Sequence, residues 1–442
     1  MADHRSRRAP APTSDTRLLE GWYETGRAAG LADHLRRYDP MPVRWLRPGA
    51  RDPLIDAIER SGLTGRGGAA FPTGRKMRAV AGAGHGAVVV ANGMESEPAS
   101  RKDATLMDLA PHLVLDGMSL AAIAVGADEA HLCVPRSRPR KADYLTALAA
   151  ERRRAGVDPV RLHVHTLPHH YVSSEKTSLV RWLNGGDARP SSVPPRPFER
   201  GVGGLPTLVD NVETLAHLAL VARYGPDWFR TLGTPDAPGT TLVTLTGAVP
   251  ARGVYEVELG LSVRDVACAS GEPPEPPQAL LLGGYFGSWL PAGHAAELAY
   301  GPTALARAGA AIGAGVVAVL PRGACGLAET ALVLDYLAGQ SAQQCGPCRF
   351  GLPATAADFA QLAFGRASGA RRRQLEEHIA QLAGRGACKH PDGASRLAAS
   401  ALRTFAPEVD RRLSAGPCRA ARSMPPALSV PQRAPIGEDE WR

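Results

Sequence analysis

The chain has 442 residues, a length that suits two or three domains. Its 44% hydrophobic content supports real cores, and its 51 basic residues against 43 acidic ones are almost all arginine. No aromatic-interleaved basic patch accompanies them, which argues against a nucleic-acid binder and leaves a mild attraction to an acidic protein partner.

No stretch is long and apolar enough to span a bilayer, and residues 1–12 are basic and polar. The expectation is a chain with no signal peptide, no membrane insertion and a cytoplasmic location. Residues 1–12 read as a disordered arm within a lead-in over 1–44. Leu54, Ile55 and Ile58 recur at helical spacing over 52–60, and Ser61-Gly62 stops that helix. The next stretch, 62–76, holds five glycines in fifteen positions, with Arg66, Arg75 and Lys76 among them. Glycines at that density contribute no side chain to pack; they free the backbone to expose N–H groups, a surface suited to phosphate. The pattern is neither GxGxxG nor GxxxxGK[ST]. On this loop alone, a phosphate-bearing cofactor and a plain glycine-rich loop stay open.

Residues 86–92 are a short apolar, β-rich run and read as a buried strand. It ends in Asn92-Gly93-Met94-Glu95-Ser96-Glu97, which puts polar and acidic groups at a strand's carboxyl end, where open α/β sheets bind ligands. A helix over about 104–125, a strand at 130–134, a helix at 141–154 and a strand at 161–166 follow. This alternation predicts an α/β domain with a largely parallel sheet. Tyr171 to Leu179 leads into a helix, a proline-rich segment crosses at 190–197, and Val209-Asp210-Asn211-Val212-Glu213-Thr214 opens a helix running to about Tyr224.

After a linker at 235–239, strands at 240–249, 253–258, 279–283 and 288–291 form a small α+β unit ending near Leu320. Helices at 328–337, 347–364, 370–382 and 395–405 then suggest a small bundle, and residues 416–442, rich in proline and arginine, read as a frayed, disordered tail. The seven cysteines are an odd number, and with no export signal expected they favour metal or redox use over a disulfide framework. Cys133 and Cys268 sit in apolar surroundings and read as buried structural thiols. Cys345 and Cys348 form a Cys-x-x-Cys pair at a helix start, and Cys388 returns from a later helix. Three such thiols favour an iron–sulfur group over zinc.

The 62–76 loop, the Asn92 to Asp103 segment, Pro206-Thr207 with Asn211 to Thr214, and the terminal Cys-x-x-Cys helices occur here in one order. Together, over about residues 45–410, they resemble the NADH- and FMN-binding flavoprotein subunit of respiratory complex I and the related diaphorase subunits. The resemblance implies a Rossmann-like flavin domain over 45–238, a ubiquitin-like β-grasp domain over 239–320 and a helical-bundle iron–sulfur domain over 321–415. It implies FMN, NAD(H) and a 4Fe-4S cluster as cofactors. Electrons would pass to a ferredoxin-like or thioredoxin-like iron–sulfur protein. By resemblance, Gly65, Arg66, Gly67, Gly68 and Lys76 lie along the flavin and nucleotide. Asn92 and Glu95 reach the ring and ribityl chain, Glu97 the NADH side, and Asp210, Asn211 and Thr214 the phosphate. Phe71 and Phe198 match adenine-stacking positions, and Tyr171 and Glu175 complete the cofactor set. Glu97 and Glu95 are the catalytic candidates, and Cys345, Cys348 and Cys388 the metal ligands.

The chain departs from the family's pattern in four places. Met94 stands where aspartate is usual, and Ser174-Glu175-Lys176 where Gly-Glu-Glu is usual. Met77-Arg78-Ala79 follows the loop lysine where an aromatic pair is usual. Ala342 replaces a cysteine three residues before Cys345, which brings a 3Fe-4S cluster into play, with Ser341, Gln344 or His390 as nearby donors. An oxidoreductase is therefore the leading expectation, and a scaffold paralogue with degenerate cofactor sites the alternative. Glu95 and Glu97 as mere helix caps also stay open.

Overall fold

The computed structural model describes residues 16–442 except 39–40, 46, 48, 84–85, 366, 424–425 and 433–435. The expected arm over 1–12 lies outside the described residues. Two short helices, α1 (Glu20–Thr25) and α2 (Leu31–Tyr38), precede α3 (Arg51–Ser61) and α4 (Thr73–Ala81). The glycine-rich stretch thus stays a loop only to Pro72, and Lys76 lies on a helix. Four strands follow: β1 (Val88–Asn92), β2 (Glu129–Pro135), β3 (Arg161–Leu167) and β4 (Thr207–Asn211). They pair in the order β3-β2-β1-β4, every pair parallel. β1 is apolar throughout because both its faces are covered: Val89 and Ala91 enter one core, Val88 and Val90 another.

The crossovers are α5 (Lys102–Leu109), α6 (Pro111–Val125), α7 (Pro139–Arg154) and α8 (Lys176–Leu183), with α9 (Val212–Tyr224) and α10 (Pro226–Phe229) after β4. The single helix expected over 104–125 is two, bent by 98°. Pro111 has no N–H to continue a helix and so starts a new one. α6 lies so close to α9 that a Cβ on Gly117 would meet the Leu215 carbonyl at 1.9 Å. Buried Asp116 on α6 accepts from His34 (2.7 Å), Arg152 (2.6 Å) and Arg223 (2.5 Å), tying α2, α7 and α9 to one point. Among the described residues no single helix is long and apolar enough to cross a membrane.

A two-stranded turn, β5 (Gly233–Thr234) and β6 (Ala237–Pro238), leads to β7 (Thr240–Gly247), β8 (Gly253–Glu258), α11 (Val263–Ala267), β9 (Pro277–Leu282), β10 (Ser288–Pro291), α12 (Ala292–Ala296), α13 (Pro302–Arg307) and β11 (Val316–Pro321). The second sheet runs β10-β9-β11-β7-β8, with β11 parallel to β7 and the other pairs antiparallel. Its central strand β11 is the one that sequence reading treated only as the unit's end. Helices α14 (Gly326–Gly339), α15 (Leu352–Phe364), α16 (Gly369–Leu382), α17 (His390–Thr404), α18 (Ala406–Ala415) and α19 (Ala420–Ser423) complete the chain.

The tail departs from the expected frayed state. Glu329 of α14 accepts from the Ala427 and Leu428 N–H groups at 2.7 and 3.0 Å. Trp441 is buried against Val172 and Ala342. Its carbonyl accepts from Ala188 N–H at 2.8 Å, and the Arg189 guanidinium lies 5.0 Å from its ring centroid. A buried aromatic in a matching site, with Glu329 on two backbone N–H groups, anchors a segment whose composition reads as disordered.

Candidate active site

At the carboxyl edge of the first sheet, Asn92 pairs in register with Asn211 on one flank and Cys133 on the other. The glycine loop folds over this edge. Gly65 N–H bonds the Phe71 carbonyl and Thr73 N–H the Leu63 carbonyl, each at 2.9 Å, closing the loop on itself. Gly68 has φ 105°, a left-handed conformation open to glycine. A Cβ on Gly68 would approach the Gly313 carbonyl to 3.3 Å, and one on Gly67 would approach Asn211 Cβ to 3.4 Å. Arg66 N–H donates to Thr214 Oγ1 at 2.9 Å, in the first turn of α9. The Arg66 guanidinium, expected along a cofactor, is instead buried against Thr64 Oγ1 (2.8 Å) and the Thr240 carbonyl (3.2 Å), bracing the loop on the second sheet.

Two lysines sit beside this edge in different states. Lys76 Nζ donates to Asp210 Oδ1 at 2.5 Å and to the Val209 carbonyl at 3.1 Å, and its side chain stays 24% exposed. Burial raises the Asp210 carboxyl while Lys76 pulls it back, and Asp210 Oδ2 is buried with no partner. Lys102 is fully enclosed and donates to Asp103 (2.6 Å), Glu213 (2.9 Å) and Asn211 Oδ1 (3.2 Å). Burial works against its ammonium, but the two carboxylates win and hold it above its ordinary range. Asn211 Oδ1 also caps α9 through Glu213 N–H at 3.0 Å, and its amide donates to Asp103 Oδ2 at 2.7 Å.

The two candidate carboxylates have separate duties. Glu95, at φ 35°, accepts from the N–H groups of Asp103 (2.8 Å) and Ala104 (2.9 Å) and from Ser100 Oγ (2.9 Å), so it caps the start of α5. Burial, with Asp103 nearby, pushes it up to about 6. Glu97 is no cap of that helix. It accepts from Tyr171 Oη (2.7 Å), Tyr285 N–H (2.9 Å) and Ala99 N–H (3.2 Å), and burial pushes it up to about 7. Gly284, at φ 87°, leaves room over this carboxylate, where a Cβ would lie 2.8 Å from Oε2. Three donors on a carboxylate that titrates near neutrality make Glu97 a group able to hold or release a proton.

Asn92 Nδ2 donates to the Ser174 carbonyl at 2.9 Å, and its Oδ1 accepts Met94 N–H at 3.2 Å. Met94 turns into the apolar cluster of Val88, Val90 and Cys133. Glu175 caps α8 by accepting Thr177 N–H at 2.6 Å, and Lys176 is exposed. Phe71 is 48% exposed with the Arg75 guanidinium 5.8 Å from its ring centroid. Phe198 is half-buried at the edge of the first core, so the two rings have different surroundings. Cys133 is buried as expected; Cys268 is only half-buried, its thiol 3.4 Å from Glu272, because its short helix lies at the surface.

Tyr171 links this edge to the cysteines. Its N–H donates to Gln340 Oε1 at 3.0 Å, and its ring meets His390 at 5.7 Å between centroids. Cys345 and Cys348 bracket the start of the turn Pro347–Gly351, and Cys388 precedes α17 by two residues. Burial raises the Cys348 thiol, and the Cys345 and Cys388 thiols near it add to the rise, although the three sulfurs do not all lie within 4.8 Å of one another. Among the expected extra donors, Ser341 Oγ turns back to the Ala338 carbonyl (3.1 Å) and Gln344 is exposed. His390 Nε2 bonds the Leu337 carbonyl at 2.8 Å, and its Nδ1 is buried without a partner. Sequence reading missed Tyr285, Lys102, Gln340 and Trp441. Only the run Gly283-Gly284-Tyr285-Phe286-Gly287 carried a signal, in its glycine density.

A parallel α/β domain with a glycine loop over its carboxyl edge, joined to a three-thiol helical domain, defines a cofactor-dependent oxidoreductase component. The family model described as the Nuo51 FMN-binding domain matches residues 58–220. That of the NADH-ubiquinone oxidoreductase-F iron-sulfur binding region matches 322–412. Rhizobium meliloti has an NADH-quinone oxidoreductase F subunit, the one numbered 2, that is 29% identical over 413 residues, covering 89% of this chain and 94% of its own length. The NADH-quinone oxidoreductase F subunit of Mycobacterium bovis is 29% identical over 408 residues, covering 87% and 90%. A crystal structure of NAD+-reducing [NiFe]-hydrogenase in the H2-reduced state superposes with a TM-score of 0.79 at 28% identity, over 88% of this chain and 67% of that one. The chain thus carries the two domains these family models describe and is similar over most of its length to NADH-quinone oxidoreductase F subunits.

Proposed function

We propose that this chain is the electron-entry component of an oxidoreductase assembly, a diaphorase-type NADH dehydrogenase that passes electrons to another subunit. When bound, FMN would supply the conversion of a hydride into single electrons, and an iron–sulfur cluster would supply the onward one-electron chemistry. The observation that carries the proposal is the packed line Glu97–Tyr171–His390, which joins the carboxyl edge of the first sheet to Cys388 two residues from His390.

The residues fit an FMN in two respects. Asp210 Oδ2 is a buried acceptor with no donor, which the hydroxyls of a ribityl chain would satisfy. Lys76, partly exposed, has a third N–H beyond its bonds to Asp210 and the Val209 carbonyl that suits a phosphate. Gly65, Gly67 and Gly68 would line the flavin by backbone, with Asn92 and Asn211 amides at its ring and chain. Thr214 acts through the loop, by holding Arg66 N–H. Glu97 with Tyr171 orients the nicotinamide side and holds a proton there; Glu95 and Glu175 position these segments by capping. Phe71 offers an open ring face to adenine, and half-buried Phe198 supports the wall.

Cys345, Cys348 and Cys388 supply three thiolates, a donor set that suits three irons of a cubane and leaves the fourth to a non-sulfur ligand or absent. Phe350, 72% exposed two residues from Cys348 and beside Arg349, suits docking of a small acidic ferredoxin-like partner. The mixed order of the second sheet, with β11 parallel to β7, supports a β-grasp reading of 239–320, and α14–α18 a bundle over 321–415. A cytoplasmic location follows the same reading. Absorbance of the anaerobically reconstituted chain tests it: flavin and iron–sulfur bands that bleach with NADH support it, and a colourless protein favours the scaffold alternative.

A further inference from the structure

A second thiol cluster stands apart from the three-cysteine site. Cys325, buried, caps α14: its Sγ accepts Ala328 N–H at 3.4 Å. Cys418, in the segment after α18, is partly exposed. The two sulfurs and a Glu408 oxygen all lie within 4.8 Å of one another. At their centre is Arg412, whose Nη2 is 3.0 Å from Cys325 Sγ, 3.2 Å from Cys418 Sγ and 2.9 Å from Glu408 Oε1. That guanidinium occupies the place an ion would take, so the donor set is poorly suited to a metal despite its chemistry. It is well suited to a thiolate. Cys325 Sγ in turn donates to Glu408 Oε1 at 3.1 Å. Both thiols lie against Arg412, but they differ in access and in their distance from the carboxylate: Cys325 is buried and close to Glu408, whereas Cys418 is partly exposed and lies 3.8 Å from it.

We propose that Cys325 and Cys418 are a reversible dithiol–disulfide pair, oxidised by a small-molecule disulfide of the glutathione type. Cys418 thiolate attacks one sulfur of that disulfide, whose S–S bond breaks and releases one thiolate, which takes a proton from water. The Cys325 thiol gives its proton to Glu408 and attacks Cys418 Sγ, displacing the second thiolate, which takes up that proton. Two protein thiols lose two electrons in all, and the small disulfide becomes two thiols. Although burial works against ionisation, Arg412 holds the Cys418 thiol below its ordinary range, which fits it as the attacking group. Burial and Glu408 push Cys325 up to about 12, which fits it as the resolving thiol. The bond would staple the start of the tail to α14, the helix whose Glu329 already holds Ala427 and Leu428.

The test uses the full chain, reduced anaerobically, then exposed to oxidised glutathione, alkylated and mapped by peptide mass. The expected product is a Cys325–Cys418 linked peptide that disappears on treatment with dithiothreitol. Cys418→Ser should abolish it, leave Cys325 free of glutathione and leave iron content unchanged. Arg412→Gln should slow its formation about tenfold by raising the attacking thiol's pKa. A stable glutathione adduct on Cys418 with Cys325 free would overturn the proposal. So would stoichiometric zinc in wild type that is lost in Cys418→Ser.

Discussion

Replacing Glu97 by Gln isolates a strongly perturbed carboxyl at the site. In the folded chain burial lifts Glu97 from 4.5 to about 7 against the pull of its three donors. Below the unfolded value, the carboxyl is protonated in both states and costs nothing extra. As pH rises from there the unfolded chain ionises first, the folded state holds the extra proton, and stability falls until the folded value is passed. At about 1.4 kcal/mol per unit, the loss over that window is about 3 kcal/mol. Glu97→Gln has no such titration. Denaturant unfolding followed by fluorescence at a series of pH values, for both proteins, measures the difference while shared titrations cancel. Wild type should lose about 3 kcal/mol relative to the variant as pH rises through the window from 4.5 to about 7, with no further change above it. Parallel curves, or a wild type that gains stability across the window, would refute a buried, proton-holding Glu97.

Three further outcomes are expected. Lys76→Ala removes a charge-assisted contact worth about 1.5–3 kcal/mol, so FMN should bind roughly tenfold or more weakly while riboflavin changes little; equal losses for both, read by fluorescence titration, would detach Lys76 from the phosphate. Trp441→Ala empties a buried site and should cost about 3 kcal/mol locally, seen as faster proteolysis of the tail; unchanged cleavage would mean that the strap is held elsewhere. Ala342→Cys should make the iron content more resistant to air and lower the cluster's potential, because a fourth thiolate adds negative charge; iron loss equal to wild type would place position 342 out of the cluster's reach, behind Trp441.

Several of these positions were legible because their chemistry is local. The apolar run ending at Asn92 and the Cys-x-x-Cys pair each declare themselves within a few residues. Glu95 illustrates the limit: the sequence leaves capping and cofactor contact both open, and the fold puts its carboxylate on the backbone N–H groups of a helix that starts seven residues later. Arg66 looks like a phosphate ligand by composition, yet finds carbonyls of the second sheet more than a hundred residues away. Met94, a departure from the family's polar pattern, becomes apolar packing on Cys133. The tail misled because proline and arginine dominate it, while a few specific contacts, Trp441 in its pocket and Glu329 on the Ala427 and Leu428 N–H groups, anchor it.

The most direct test of the proposed electron path is a stoichiometric NADH titration of the anaerobically reconstituted chain, with absorbance and EPR recorded on the same samples. The prediction is one FMN per chain, bleached by NADH, with electrons appearing on an iron–sulfur centre that Cys348→Ser removes. A chain that takes up neither FMN nor iron, or one whose bound flavin stays oxidised with excess NADH, would contradict it.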